Sequence, residues 1–208
     1  KGKIDPADMQ QRFKNWLFEG VYTPDGLTFD VGNATREALT RGHGLSDECF
    51  NGNGSLMRIL PLAFTGTGPS DIEAVSSITH AHATSVEACL LYVDIARRLL
   101  KGQQLPEILS DIETSKTYAR LQTLAELTED DIRSSGYVVD TLEAALWCLL
   151  TSTSYPETVL KAVNLGDDTD TVAAVAGGLA GIIYGLEGIP DNWLAQLRNK
   201  ELLESCLF

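Results

Sequence analysis

A chain of 208 residues with 44% hydrophobic content is long enough for one substantial core and lies in the size range of a single domain, which excludes a disordered polypeptide. A formal net charge of −13 excludes a protein that tracks the phosphate backbone of a nucleic acid through clustered Lys and Arg, while small anions held by backbone N–H groups remain open. Four cysteines, Cys49, Cys89, Cys148 and Cys206, form no CxxC or Cys/His zinc pattern and read as reduced thiols, with Cys89 and Cys148 acting as small core residues. No signal peptide is visible, and the apolar run 172–186 falls short of the ~20 residues of a membrane span, so the expected compartment is the cytoplasm, with no membrane partner. The chain opens on Lys1 and runs through Gly2-Lys3-Ile4-Asp5-Pro6 straight into a helix start, which reads as the remainder of a longer protein.

In chain order, Asp5-Pro6 supplies an N-cap and an N1 proline, and Met9, Phe13, Trp16 and Leu17 follow at helical spacing up to Gly20. Residues 22–26 carry turn chemistry, and a short helix is predicted over 33–41, closed by Gly42 and Gly44. A loop over 50–55 enters a further helix from Leu56, which Pro61 bends or restarts. Helices follow over 71–79, 85–100, 105–112, 118–127, 140–150 and 156–163. The stretch 172–186 is apolar on almost every face and predicts a helix buried on all sides. Gly177, Gly181 and Gly185 recur along it every four residues, a spacing that lets a neighbouring helix come close. Two short amphipathic pieces, 191–198 and 200–206, complete the chain. No alternating strand pattern appears, so the fold class is all-α: a compact orthogonal bundle of many helices over residues 1–208 as one domain.

The densest chemistry is Gly166-Asp167-Asp168-Thr169-Asp170-Thr171, immediately before the apolar helix. Carboxylate and hydroxyl oxygens suit a hard cation such as Mg²⁺, Mn²⁺ or Ca²⁺, and like charges packed together repel unless a cation or solvent relieves them. Asp168 and Thr171 at i,i+3 share one helix face, with Asp170 adjacent; Asp167 is not counted as a ligand. The alternative is an acidic N-cap made by Asp168 or Thr169, with the other acids solvated. One residue suffices to cap a helix, so the surplus of carboxylates favours the metal.

Gly52-Asn53-Gly54-Ser55 before a helix start is a candidate anion cradle, because glycines admit close approach of the backbone and a helix N-terminus offers free N–H donors. An ordinary loop with a serine cap fits the same four residues. Arg58 adds charge to that region or pairs with an acid. His80 and His82 flank Ala81; one is expected to hydrogen-bond a ligand or a carbonyl, and His80 is also a candidate base.

Three segments together, Asn51 to Arg58 (NGNGSLMR), Thr79 to His82 (THAH) and Leu165 to Ala173 (LGDDTDTVA), resemble the ADP-ribosylglycohydrolases in order and spacing. Residues 29–35 and 136–145 extend the likeness over nearly the whole chain. The resemblance implies an all-helical fold with two Mg²⁺ or Mn²⁺ ions that hydrolyses the glycosidic bond between ADP-ribose and a protein side chain, often arginine. It implies Asp168, Asp170 and Thr171 as metal ligands, with Asp170 bridging the ions and the best candidate for a catalytic role. It also implies a diphosphate and ribose site at Gly52, Asn53, Gly54, Ser55, Leu56, Met57 and Arg58, a ligand contact at His80, and Tyr137 or Val138 at the adenine end.

Other features of the family, an early Gly-Asp helix and a Thr-Asp-Asp motif supplying further metal ligands and an acidic catalytic group, are not found in these residues. The expected partners are therefore an ADP-ribosylated protein and, to complete the site, the missing N-terminal piece as a second chain. The competing expectations are a non-catalytic ADP-ribose binder or crystallin-like structural relative, and a hydrolase of another ADP-ribose derivative.

Overall fold

The computed structural model describes residues 4–206. Among them the chain forms α-helices α1 (Pro6–Glu19), α2 (Asn33–Arg41), α3 (Pro69–Ser76), α4 (Ala83–Leu100), α5 (Leu105–Asp111), α6 (Val138–Leu150), α7 (Tyr155–Asn164), α8 (Thr169–Tyr184), α9 (Asp191–Gln196) and α10 (Lys200–Cys206), joined by loops and 3₁₀ turns. No strand forms among the described residues; two isolated bridges, Leu45 with His80 and Gly52 with Tyr137, are the only extended pairings there. The all-α class follows from the sequence pattern.

Local signals explain the first two helices. Asp5 accepts from the N–H groups of Ala7 and Asp8, Pro6 occupies the first turn, and α1 ends at Gly20 in the left-handed region. A Cβ at Gly20 would stand 2.0 Å from the carbonyl oxygen of Gly26, so glycine is required there on both counts. Gly42, at φ 80°, closes α2 in the same way. Leu17, Leu39 and Ile78 form a small cluster that, with Phe13, Trp16 and Val31, seats α1 beside α2 and the end of α3.

Two predicted helices wind differently. The segment after Ser55 forms 3₁₀ turns, Leu56–Arg58 and Leu60–Phe64, instead of a helix, because Pro61 lacks an N–H and its ring excludes a continuous α ladder. Residues Lys116–Glu126 are also 3₁₀. Their buried side chains, Tyr118, Leu121 and Leu124, recur every third residue, which is the period of a 3₁₀ turn rather than 3.6.

The main core is built on α4, α6 and α8. Here the prediction for 172–186 is corrected: α6, with 11 of 13 residues buried, is the helix enclosed on all sides, whereas α8 leaves Ala174 and Ile183 exposed. α6 carries Asp140, Thr141 and Glu143 and is no more apolar in sequence than α8, so neighbours decide which is enclosed: α4, α7, α8 and the 116–126 segment all pack on α6.

The glycine spacing in α8 is corrected as well. Gly177 meets Tyr155 and Val159 of α7, but a Cβ at Gly181 would have open space and Gly185 is the C-cap at φ 69°. The tightest position is Gly178, where a Cβ would come within 2.6 Å of Leu60 Cδ2 and 2.8 Å of the Tyr92 hydroxyl. That hydroxyl donates to the Val175 carbonyl at 2.8 Å and fixes α4 against α8.

Gly178→Val is expected to lower stability by about 1–3 kcal/mol through overpacking, and Gly181→Ala to raise it by about 0.5–1 kcal/mol through helix propensity. Urea unfolding monitored by circular dichroism checks both, and the opposite ranking would show that Gly178 does not set the α4–α8 approach.

Candidate functional site

The acidic motif occupies the turn between α7 and α8. Gly166 at φ 89° and Asp167 at φ 49° reverse the chain, and the Ser134 hydroxyl donates to the Gly166 carbonyl at 3.1 Å while the Ser134 carbonyl accepts from Asp168 N–H at 3.1 Å. Asp168 stands at the N-cap of α8, yet its carboxylate caps no N–H of that helix. Its Oδ2 instead accepts from the Asn53 side-chain amide at 2.6 Å. Asp170 accepts from Thr171 N–H at 2.9 Å through Oδ1 only. Asp168, Asp170 and Thr171 all line one cavity of about 1050 Å³, and among the described residues neither carboxylate forms an ion pair. Asp167 is exposed and lies outside the cavity lining.

The glycine-rich loop lies against the acidic motif, joined to it by the Asn53–Asp168 contact. Asn53 N–H donates to the Gly136 carbonyl at 3.1 Å, and Val138 N–H donates to the Asn51 carbonyl at 3.0 Å, so the loop is laced to the segment before α6. The Asn53 amide also donates to Thr141 Oγ1 at 2.8 Å. Gly136 makes room for this junction: a Cβ there would stand 3.3 Å from Asp168 Oδ2. Among the described residues the N–H groups of Gly52, Gly54 and Ser55 have no protein acceptor, leaving three backbone donors at a turn next to the cavity. Such a set suits an anion. The expected helix N-terminus is replaced here by a single 3₁₀ turn, so the donors belong to the loop itself.

Arg58 lies beneath the loop. It donates to the Gly54 carbonyl, to Thr79 Oγ1 at 2.7 Å and to the Val75 carbonyl at 3.5 Å, and its guanidinium carbon is 4.9 Å from the centre of the Phe13 ring. Nε is buried without a partner. Burial lowers its pKa to about 10, so it stays charged at neutral pH, and among the described residues no carboxylate pairs with it. His80, 2% exposed, contacts Thr79 Oγ1 through Nδ1 at 2.7 Å. Burial, reinforced by the Arg58 charge, pulls its pKa down to about 3. It is neutral at physiological pH, and a pKa so far below neutrality makes the ring too weak a base to be an effective proton acceptor there.

Gly52, Asn53, Gly54, Met57, Arg58 and His80 therefore share one cavity with Asp168, Asp170 and Thr171. Three expected contacts do not join them. Ser55 is buried with its hydroxyl against Cys89 Sγ, Leu56 belongs to the core, and Tyr137, though 43% exposed, stands outside the lining and pairs with Gly52 through its backbone. In a 3₁₀ turn packed on α4, consecutive side chains cannot all face one cavity. His82 caps α4 through Thr84 N–H, a structural role.

Sequence reasoning missed several residues of this wall. Gly136 and Thr141 carried only the family likeness, Thr79 was quoted without a role, and Phe13 and Trp16 were read purely as the apolar face of α1. The latter two line the cavity. A Gly or Thr whose task is to leave room or pass on a hydrogen bond has no periodic signature of its own.

A profile of the ADP-ribosylglycohydrolase family matches residues 1–207. The chain belongs to this family. It is 36% identical to the ADP-ribosylarginine hydrolase Tri1 of Pseudomonas putida (strain GB-1), over 95% of this chain and 57% of that protein. It is 31% identical to the ADP-ribosyl-[dinitrogen reductase] glycohydrolase of Rhodospirillum rubrum, over 96% of this chain and 68% of that one. A solved structure described as an ADP-ribosylglycohydrolase-related protein complex superposes with a TM-score of 0.75 at 30% identity, covering 97% of this chain and 71% of the other.

The chain thus spans 57% and 60% of the two Tri1 relatives, from Pseudomonas putida and Serratia proteamaculans. These relatives are themselves longer than the matched part, so nothing in the comparison calls for a separate second chain. No helix among the described residues is long and apolar enough to cross a membrane.

Oxygen donors that form no ion pair suit a hard divalent cation better than a soft metal. Among the described residues no three His, Cys, Asp or Glu side chains converge, so Asp168, Asp170 and the Thr171 hydroxyl are the neighbouring oxygens of the acidic motif, with the Asp30 carboxylate elsewhere in the same lining.

Asn53→Ala removes two side-chain hydrogen bonds and leaves Asp168 without its partner; a loss of about 1–3 kcal/mol is expected in thermal or urea unfolding. His80 supplies a pH test. Its folded pKa of about 3 lies below the ordinary 6.5, so the stability gained by keeping it neutral is complete above about pH 6.5 and is lost as pH falls toward 3. Between pH 7 and pH 4.5 the parent chain should lose roughly 2–3 kcal/mol more than His80→Gln, as read from urea midpoints; parallel losses would show that His80 protonates freely in the folded state.

Proposed function

We propose that this chain provides the nucleotide-sugar site of a divalent-metal-dependent hydrolase that releases ADP-ribose from a modified protein side chain, with arginine the favoured linkage. The observation that carries the reading is the pairing of two charge environments in one cavity. Free backbone N–H groups lie by the buried Arg58 guanidinium, which no carboxylate neutralises, and Asp168 and Asp170 line the same cavity without cationic partners among the described residues. A diphosphate suits the first group, and cations with a ribose suit the second.

In this assignment Gly52 and Gly54 offer N–H donors to the diphosphate, and Arg58 supports them with charge from below. Asp168 is aimed by Asn53, which occupies Oδ2 and leaves Oδ1 for an ion. Asp170, whose Oδ2 has no protein partner among the described residues, is the candidate bridge and the residue assigned to the reacting end. Thr171 adds a neutral oxygen. Bound Mg²⁺ or Mn²⁺ would supply charge stabilisation and polarisation of the ribose hydroxyls. The arginine linkage rests on the relatives named for ADP-ribosylarginine hydrolysis. Binding of ADP-ribose without turnover is a second reading for this chain in isolation, favoured by its short supply of metal ligands.

In the complete gene product, Asp168→Asn and Asp170→Asn are each expected to lower Mg²⁺-dependent release of ADP-ribose from ADP-ribosylated arginine at least about 100-fold while helicity is retained. Unchanged turnover in both variants would remove the ligand assignment. Calorimetric binding of ADP-ribose by the 208-residue chain without turnover would support the second reading.

A further inference from the structure

We propose that Thr79 is a positioning residue that holds His80 as a neutral ring with its proton on Nε2, so that Nε2–H faces the cavity as a hydrogen-bond donor. The assignment follows from counting donors along a short chain. Arg58 Nη2 is 2.7 Å from Thr79 Oγ1, and a guanidinium can only donate, so the hydroxyl oxygen accepts there. Thr79 is fully buried, and its hydroxyl has one other neighbour among the described residues, His80 Nδ1 at 2.7 Å. If Nδ1 carried a proton, the hydroxyl oxygen would accept twice and its own hydrogen would be buried with no acceptor, an arrangement that forfeits a hydrogen bond and incurs a desolvation penalty. The hydroxyl therefore donates to a bare Nδ1, and the neutral ring carries its hydrogen on Nε2. The fixed charge of Arg58 sets the direction of the whole relay.

The other ring nitrogen is where a ligand would meet it. Nε2 has no protein partner among the described residues, and His80 lines the cavity beside the glycine-rich loop. A Cβ at Gly52 would lie 3.6 Å from Nε2, and one at Gly54 would lie 2.9 Å from Cε1 and from Thr35 Oγ1. The two glycines thus leave the ring edge uncovered, and a side chain at Gly54 would push the ring itself. The low pKa of His80 agrees with a ring that remains neutral. An Nε2–H donor next to free backbone N–H groups extends the cradle with a side-chain member that takes an oxygen acceptor such as a diphosphate or ribose oxygen. The ligand class rests on the function proposed above, whereas the relay rests on the hydrogen bonds alone.

The test is a long-range ¹H–¹⁵N correlation of the imidazoles in the ¹⁵N-labelled chain at pH 7, with His80 assigned by its loss in His80→Gln, alongside calorimetry with ADP-ribose and Mg²⁺. The parent protein is expected to show a bare Nδ1 and a protonated Nε2. Thr79→Val should admit the Nδ1–H form and weaken ADP-ribose about tenfold, and Thr79→Ser should restore both. A parent ring protonated on Nδ1, or a folded Thr79→Val with an unaltered ring and affinity, overturns the proposal. The parent reading needs no variant, so it decides the tautomer even if Thr79→Val does not fold. A parent chain with the Nε2–H ring that fails to bind ADP-ribose supports the relay and overturns the ligand assignment.

Discussion

The hydrogen bond between the Asn53 amide and the Asp168 carboxylate, 2.6 Å long, is the link on which the site depends. It joins a loop ahead of α3 to the first residue before α8, two places separated by more than half of the chain. Each side of the contact is braced from behind. Asn53 is braced by Thr141 and by the Gly136 carbonyl, and Asp168 by the Ser134 carbonyl. The short stretch 134–138 is therefore the common anchor for both walls, and the absence of a side chain at Gly136 lets the carboxylate sit close to it. A partly buried charge-assisted hydrogen bond of this kind gains from partners that fix its two groups, which Thr141, Gly136 and Ser134 supply.

Electrostatics then divide the labour within the cavity. Arg58 retains its charge because its pKa, though lowered by burial to about 10, remains far above neutrality. Its donors are spent on Gly54, Val75 and Thr79, which fix the guanidinium and turn its charge into a directional influence on the loop and on His80. Asp168 and Asp170, in the same cavity, have no such compensation. An overall charge of −13 makes long-range attraction of an anion unfavourable, so the diphosphate binding proposed above would rest on short-range donors and one buried cation. Backbone N–H groups, Arg58 and His80 lie close together without a surface cluster of basic residues.

The acidic cluster, the glycine-rich loop and His80 were legible because each is a compact run of unusual residues. Their shared cavity was legible only through the likeness to a family, since nothing local says that residues 53 and 168 touch. Ser55 and Leu56 were misplaced because a motif read as a string treats every residue as a contact, whereas the 3₁₀ turn sends these two side chains into the core. The supporting residues Thr79, Gly136 and Thr141 had no pattern to expose them. Their roles are to relay one hydrogen bond, to leave a gap and to hold an amide, and such roles exist only once the neighbours are in place.

The sequence by itself determined the helical class and the caps at Asp5, Gly20 and Gly42, because these rest on interactions within a few residues of each position. Tertiary structure alone decided that α6 rather than α8 is enclosed, that Gly178 rather than the spaced Gly177, Gly181 and Gly185 sets the tightest approach, and that residues 116–126 wind with a period of three. Burial and close approach are properties of pairs of elements. The more uniformly apolar of the two helices is not the one the fold surrounds, so the local sequence carries no record of which will be enclosed.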